Sequence, residues 1–115
     1  TDWVALRADG QLSPANDWPP RMSDDAIRIP LYLYWYDKQS PLLQPWRNWF
    51  GQFSRLQTPA WVNVVNNEKA PYMMAGGLLA VRDLTMGVNL TEPELTTKED
   101  YYSSSLSMLV WLAYQ

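Results

Sequence analysis

The stretch that most constrains this chain runs from Met22 to Tyr36. It sets two adjacent carboxylates, Asp24 and Asp25, and one arginine, Arg28, at the head of an almost wholly apolar run. The run reads as a helix, with Ser23 as N-cap and the two acids in its first turn, where the helix dipole favours negative charge. Residues three and four apart share a face, so Asp25 neighbours Arg28 and Ile29, with Tyr32 and Tyr36 one and two turns further on. The rest of the wheel is also apolar, and a helix apolar all round is expected to be buried. Pro30 removes one helix hydrogen bond, so a kink or a late helix start is expected there. Asp25 and Arg28 admit two roles on these grounds. They are a capping acid with an i,i+3 ion pair, or a catalytic carboxylate held ionised at the mouth of an aromatic-lined pocket.

A chain of 115 residues makes one domain at most and is large enough to bury a core. Seven tryptophans and seven tyrosines are many for this length. Most belong to the core, although such rings also stack on the flat apolar faces of sugars. A net charge of −3 with no basic cluster excludes nucleic acid, whose phosphates require lysine and arginine. Cysteine and histidine are both absent, so there is no thiolate metal site and no imidazole ligand or base. No metal or other cofactor is expected, and proton chemistry must run on carboxylates or tyrosine. No apolar stretch reaches the roughly 18 residues of a membrane span, so no membrane partner is expected. The opening Thr1-Asp2-Trp3-Val4 has neither a basic leader-like region nor an initiator methionine, so a processed or excised piece is expected.

Residues 1–22 read as irregular, with turn signals at Asp9-Gly10, Ser13-Pro14 and Pro19-Pro20. Trp3 is expected to close a preceding helix. Trp18, seven residues before Asp25, either plugs its loop or forms a sugar platform. Ser40-Pro41 starts a second, amphipathic helix, whose dry face carries Leu42, Leu43, Trp46, Trp49, Phe50 and Phe53. Trp61 to Val65 reads as a short strand or an extended loop. Ala70-Pro71 opens a third helix, apolar nearly all round, running to about Thr85 with Gly87 as its stop. Gly76-Gly77 falls inside it, at a cost of about 1 kcal/mol per residue that close packing could offset. Arg82 and Asp83 read as its solvated end. Thr96 to Glu99 is a capping box for a last helix with Tyr101 and Tyr102 in its first turn.

Four motifs in this order resemble glycoside hydrolase family 8. They are Asp24-Asp25-Ala26-Ile27-Arg28, Pro59 to Val64, Ala75 to Leu84, and Tyr101 to Leu106, and together they cover essentially the whole chain. The resemblance implies that residues 1–115 are the C-terminal portion of a single catalytic domain. The implied fold is all-α, about two of the six helical hairpins of an (α/α)6 barrel. The implied activity is an inverting endo-β-1,4-glucanase of secreted or periplasmic location, acting on β-1,4-glucan. Inverting hydrolysis needs an acid and a base about 6.5–9.5 Å apart, with a water between base and sugar. By resemblance Asp25 is the base, and Arg28, Asp24, Trp18, Tyr101 and Tyr102 are substrate-binding. The family's acidic partner lies in the complementary N-terminal part of the domain. Glu68, Glu92, Glu94 and Glu99 sit in polar segments, where none suits that role. Asp24 stands where the family has a tyrosine that orders the attacking water. Two adjacent carboxylates repel, which raises the pKa of one of them; taking Asp24 as base instead breaks the spacing to Ala26 and Arg28. The alternatives are a non-catalytic carbohydrate-binding or scaffold fragment, and a xylan-directed member of the same family.

Overall fold

A computed structural model describes residues 1–94 and 100–115. Among these residues four α-helices carry the core: α1 (Arg28–Tyr36), α2 (Gln44–Phe50), α3 (Gly76–Thr85) and α4 (Tyr101–Tyr114). Strands are present as well, which corrects the all-α expectation. β1 (Val4–Leu6) pairs antiparallel with β2 (Leu12–Pro14), and β3 (Arg21–Met22) pairs antiparallel with β4 (Val62–Asn63). The turn residues of the first 22 positions block helix but leave the backbone free to extend and pair. Gly10, at φ 84°, supplies the left-handed residue of the β1–β2 hairpin. The segment is therefore built, not irregular. Trp3 closes no helix there; its ring stacks on Trp18 with centroids 4.5 Å apart. Of the short strand or extended loop expected at Trp61 to Val65, the strand is present as β4.

α1 begins only at Arg28, with no side-chain cap of its own. Pro30 sits in its first turn, where a missing N–H leaves no intrahelical bond unmade. The late start foreseen from Pro30 therefore holds, and Asp24 and Asp25 lie in the turn that precedes the helix. Ser23 is not the cap. Its N–H, like that of Ala26, donates instead to Asp2 Oδ1, at 2.9 and 2.7 Å. The helix is not buried all round either. Leu31 is fully buried, whereas Ile29, Tyr32, Trp35 and Tyr36 are exposed, because no neighbour within the described residues packs on that face.

Ser40 caps as expected, its Oγ accepting from Leu42 N at 3.2 Å, but it caps a single 3-10 turn that leads into α2. Tighter winding rotates Leu42 outward, so it is exposed while Leu43 and Phe50 are fully buried. Arg47 ties α2 to its neighbours by donating to the carbonyls of Thr85 and Lys38.

α3 starts six residues later than expected. Ala70 to Met74 is extended instead, with Met73 bridging Pro59. Gly76, at φ 52°, opens the helix and Gly77 follows in its first turn, so neither lies mid-helix. A Cβ on Gly77 would stand 2.4 Å from the Ser103 carbonyl oxygen and 2.6 Å from Leu106 Cβ. Glycine is what lets α3 and α4 touch. Gly87, at φ 76°, terminates α3 as expected, its N–H donating to the Leu84 carbonyl. The largest correction is at Arg82 and Asp83. They are 6% and 3% exposed, not a solvated end. Asp83 accepts from Arg55 Nε at 2.8 Å and from Arg82 Nη1 at 3.2 Å. A buried carboxylate persists only with such partners. The capping box at 96–99 lies outside the described residues; α4 begins at Tyr101 with Asp100 as its cap. Its Leu106 and Val110 enter the same core as Ile27, Leu31, Phe50, Val81 and Leu84.

Candidate active site

A cleft of about 630 Å³ lies between the turn ahead of α1, the extended segment ahead of α3 and the first turns of α4. Asp24, Asp25, Tyr72, Ala75, Asp100 and Tyr102 are among its lining residues. The sequence spacing placed Asp25 and Arg28 side by side, and they are: Arg28 Nη2 donates to Asp25 Oδ1 at 3.1 Å. Arg28 Nε also donates to the Asp25 carbonyl at 3.3 Å. The side chains of Arg28 and Asp25 are 43% and 48% exposed, so the pair sits at the rim of the cleft with access to water. A carboxylate in that position can accept a proton from a solvent molecule while the guanidinium fixes its orientation.

Asp24 is placed differently. Crowding of its carboxyl raises its pKa above the ordinary aspartate value. Partial burial is the largest cause, followed by the charges of Asp2, Asp25 and Asp100. Asp24 therefore holds its proton to higher pH than an ordinary aspartate does. Tyr102 reaches across from α4, and its hydroxyl donates to the Asp24 main-chain carbonyl. The Tyr102 phenol is likewise pushed up, mainly by burial and then by Asp25, Asp24 and Tyr32, with Arg28 opposing. It remains a neutral donor under ordinary conditions.

Four of the six residues singled out from the sequence therefore gather at one place: Asp24, Asp25, Arg28 and Tyr102. Two do not. Tyr101 is 89% exposed and lines a separate apolar groove with Ser104, Ser105, Met108 and Leu109. It points away because adjacent helical residues are about 100° apart around the axis. Trp18 is absent from the cleft lining, and its stacking on Trp3 ties it to the β1–β2 segment.

Sequence reasoning missed three contributors. Asp100 lines the cleft and caps α4, its Oδ1 accepting from Ser103 N at 2.7 Å. An aspartate just before Tyr101-Tyr102-Ser103 is a recognisable cap signal, overshadowed by the box at 96–99. Ser103 Oγ accepts from Gly77 N at 2.7 Å, satisfying one free donor at the start of α3. Asp2 had no local signal, because its partners lie 21 and 24 residues away. Among the described residues, no group of three or more metal-ligating side chains comes together. No described helix is long and apolar enough to cross a membrane.

Comparison with known proteins gives a consistent result. The model of glycosyl hydrolases family 8 matches residues 1–115. An endoglucanase of Cellulomonas uda is 64% identical over 98 residues, which are 85% of this chain and 27% of that protein. A family 8 endo-β-1,4-glucanase from an Achatina fulica gut metagenomic library superposes with a TM-score of 0.92 at 66% identity, covering 96% of this chain and 35% of that one. The family 8 endoglucanase of Klebsiella pneumoniae superposes with a TM-score of 0.93 at 65% identity, over 96% of this chain and 36% of that one. The chain thus spans only about a third of the length of these relatives. With the match running from its first residue to its last, the chain belongs to glycosyl hydrolase family 8.

Proposed function

We propose that this chain supplies the general-base half of the active site of an inverting endo-β-1,4-glucanase. The single observation that carries the proposal is Asp25 at the rim of the cleft, oriented by Arg28 and still open to solvent. A base in this chemistry accepts a proton from the water that attacks the sugar from the face opposite the leaving oxygen. Tyr102 holds the adjoining backbone through the Asp24 carbonyl. Asp24, in the place of a tyrosine, meets the water or sugar with a carboxyl that burial keeps neutral to higher pH than an ordinary aspartate.

The acid comes from the complementary N-terminal part of the same domain, so residues 1–115 alone are inactive. In the complete domain this chain forms about two of the six hairpins of an (α/α)6 barrel. Two exposed apolar helix faces support that placement, Ile29, Tyr32 and Tyr36 on α1 and Tyr101, Met108 and Leu112 on α4. Faces of this kind mark contact surfaces. The relatives are named for glucan hydrolysis, and a cleft without a basic patch suits an uncharged β-1,4-glucan cut at internal bonds. A polymer of that kind cannot enter a cell, which favours a secreted or periplasmic enzyme.

The test is Asp25→Asn in the complete domain, with the anomeric proton of the first product followed by NMR. Turnover on a soluble cellulose derivative should fall about 10²–10⁴-fold, and the wild type should release the α-anomer first. Wild-type turnover in the variant, or the β-anomer appearing first, overturns the proposal.

A further inference from the structure

Resting on the assignment of Asp25 as base, we propose that Asp2 is a positioning residue for it, holding the turn that carries Asp25 from outside that turn. One carboxylate oxygen, Asp2 Oδ1, accepts both the Ser23 N–H at 2.9 Å and the Ala26 N–H at 2.7 Å. These two donors bracket Asp24 and Asp25. Tyr102 and Arg28 hold the Asp24 and Asp25 carbonyls of this turn, but its Ser23 and Ala26 N–H groups are held by Asp2. Within it, Ile27 N–H donates to the Ser23 carbonyl at 3.0 Å and Arg28 N–H to the Asp25 carbonyl at 3.2 Å. α1 itself provides no side-chain cap. The Ser23 and Ala26 donors lie in the turn ahead of α1, and both are gathered by a residue more than twenty positions away.

Asp2 is itself anchored. Its N–H donates to the Arg21 carbonyl at 2.8 Å, which ties it to the strand leading into the turn. Trp3, the next residue, stacks on Trp18, and its carbonyl accepts from Ala15 N at 3.2 Å. The hairpin of β1 and β2 therefore fixes the Asp2 carboxylate, and the carboxylate fixes the turn. This gives Trp18 a task at a distance from the cleft. A charged acceptor shared by two N–H groups makes strong hydrogen bonds. A general base must stay within hydrogen-bond reach of its water, and a displacement of about 1 Å can cost about 10²-fold in rate.

The experiment compares Asp2→Ala, Asp2→Asn and Asp2→Glu in the complete domain, with Asp25→Asn alongside. Steady-state kinetics on a soluble cellulose derivative are measured below the melting temperature of every variant. Asp2→Asn keeps an amide oxygen that can accept both N–H groups and should retain turnover within about threefold. Asp2→Ala should lose at least about tenfold in kcat with KM changed less than about twofold, since binding is left and alignment is lost. Asp2→Glu keeps the charge but moves the oxygens by one methylene, and should fall below Asp2→Asn. If Asp2→Ala does not fold, the order of Asp2→Asn above Asp2→Glu carries the test. Equal kcat in Asp2→Glu and wild type, or equal losses in Asp2→Asn and Asp2→Ala, overturns the positioning role. If Asp25→Asn itself keeps wild-type turnover, the failure lies with the base assignment and not with Asp2.

Discussion

Two Asp–Arg pairs in this molecule look alike in the sequence and behave as opposites in the structure. Asp25 and Arg28 stand at the rim of the cleft, each nearly half exposed, joined at 3.1 Å. Asp83 lies almost wholly buried between Arg82, also buried, and Arg55, whose side chain is half exposed. An exposed pair contributes about 0–1 kcal/mol, since water screens it and side-chain entropy opposes it. Removing one partner of a buried pair costs about 3–5 kcal/mol, because the other charge is left without compensation. The first pair is therefore free to serve chemistry at little expense to the fold. The second is committed to holding α3 against the segment that carries Arg55. Burial, not residue type, separates the two.

The widest test of this contrast sets Asp25→Asn against Asp83→Ala in the complete domain. Asp25→Asn should lose about 10²–10⁴-fold in turnover with a melting temperature close to wild type. Asp83→Ala should do the reverse, losing about 3–5 kcal/mol of stability while the molecules that remain folded keep their turnover. Denaturant titration and steady-state kinetics on both variants decide it. A catalytic loss without a stability loss in Asp83→Ala would erase the distinction.

Next in size is Gly77→Ala on the buried side. The added methyl would meet the Ser103 carbonyl oxygen and Leu106 Cβ well inside contact distance. Parting α3 from α4 should cost about 1–3 kcal/mol. It should also lower turnover to a lesser degree, since Ser103 and Tyr102 are neighbours on α4 and Tyr102 reaches the cleft. A neutral result by thermal denaturation would mean that α4 shifts freely.

Arg28→Ala sharpens the exposed side. Its effect on stability should stay below about 1 kcal/mol and shrink further in high salt, while turnover falls because Asp25 loses the group that orients it. A stability loss matching that of Asp83→Ala would show the rim pair to be structural.

The smallest effect is the pH dependence contributed by Asp24. Its pKa in the folded state lies above the ordinary aspartate value, so in the window between the two the folded state binds more protons than the unfolded one. Its contribution to stability is then full below the unfolded pKa and declines as pH rises through the folded one. Asp24→Asn should remove that decline, making the variant slightly more stable than wild type at neutral pH and not at acidic pH. Melting temperatures of both proteins across the acidic range check the sign.

Much of this was legible in the sequence, and the parts that were not share a cause. The spacing of Asp25 and Arg28, the serine cap at Ser40, the strand around Val62 and the stop at Gly87 depend on neighbours within a few residues, and local chemistry decides them. The start of α1 was half legible. Pro30 forecast a late helix, but Asp2, the group that satisfies the turn before it, is distant in sequence and left no local trace. Arg82 and Asp83 misled because charged residues at a helix end are usually solvated; only the packing of α3 reveals the opposite. The separation of Tyr101 from Tyr102 was also out of reach, since it depends on which face of α4 meets α3.

The sequence alone determined the family, the helical core and the identity of the carboxylate that stands beside an arginine. These follow from motif order, apolar periodicity and short-range spacing. Tertiary structure decided which Asp–Arg pair is buried, which tyrosine enters the cleft, and which carboxylate gathers the backbone of the turn carrying Asp25. Each is a matter of desolvation and contact between segments far apart in the chain. A linear pattern of residues cannot specify those until the chain has folded.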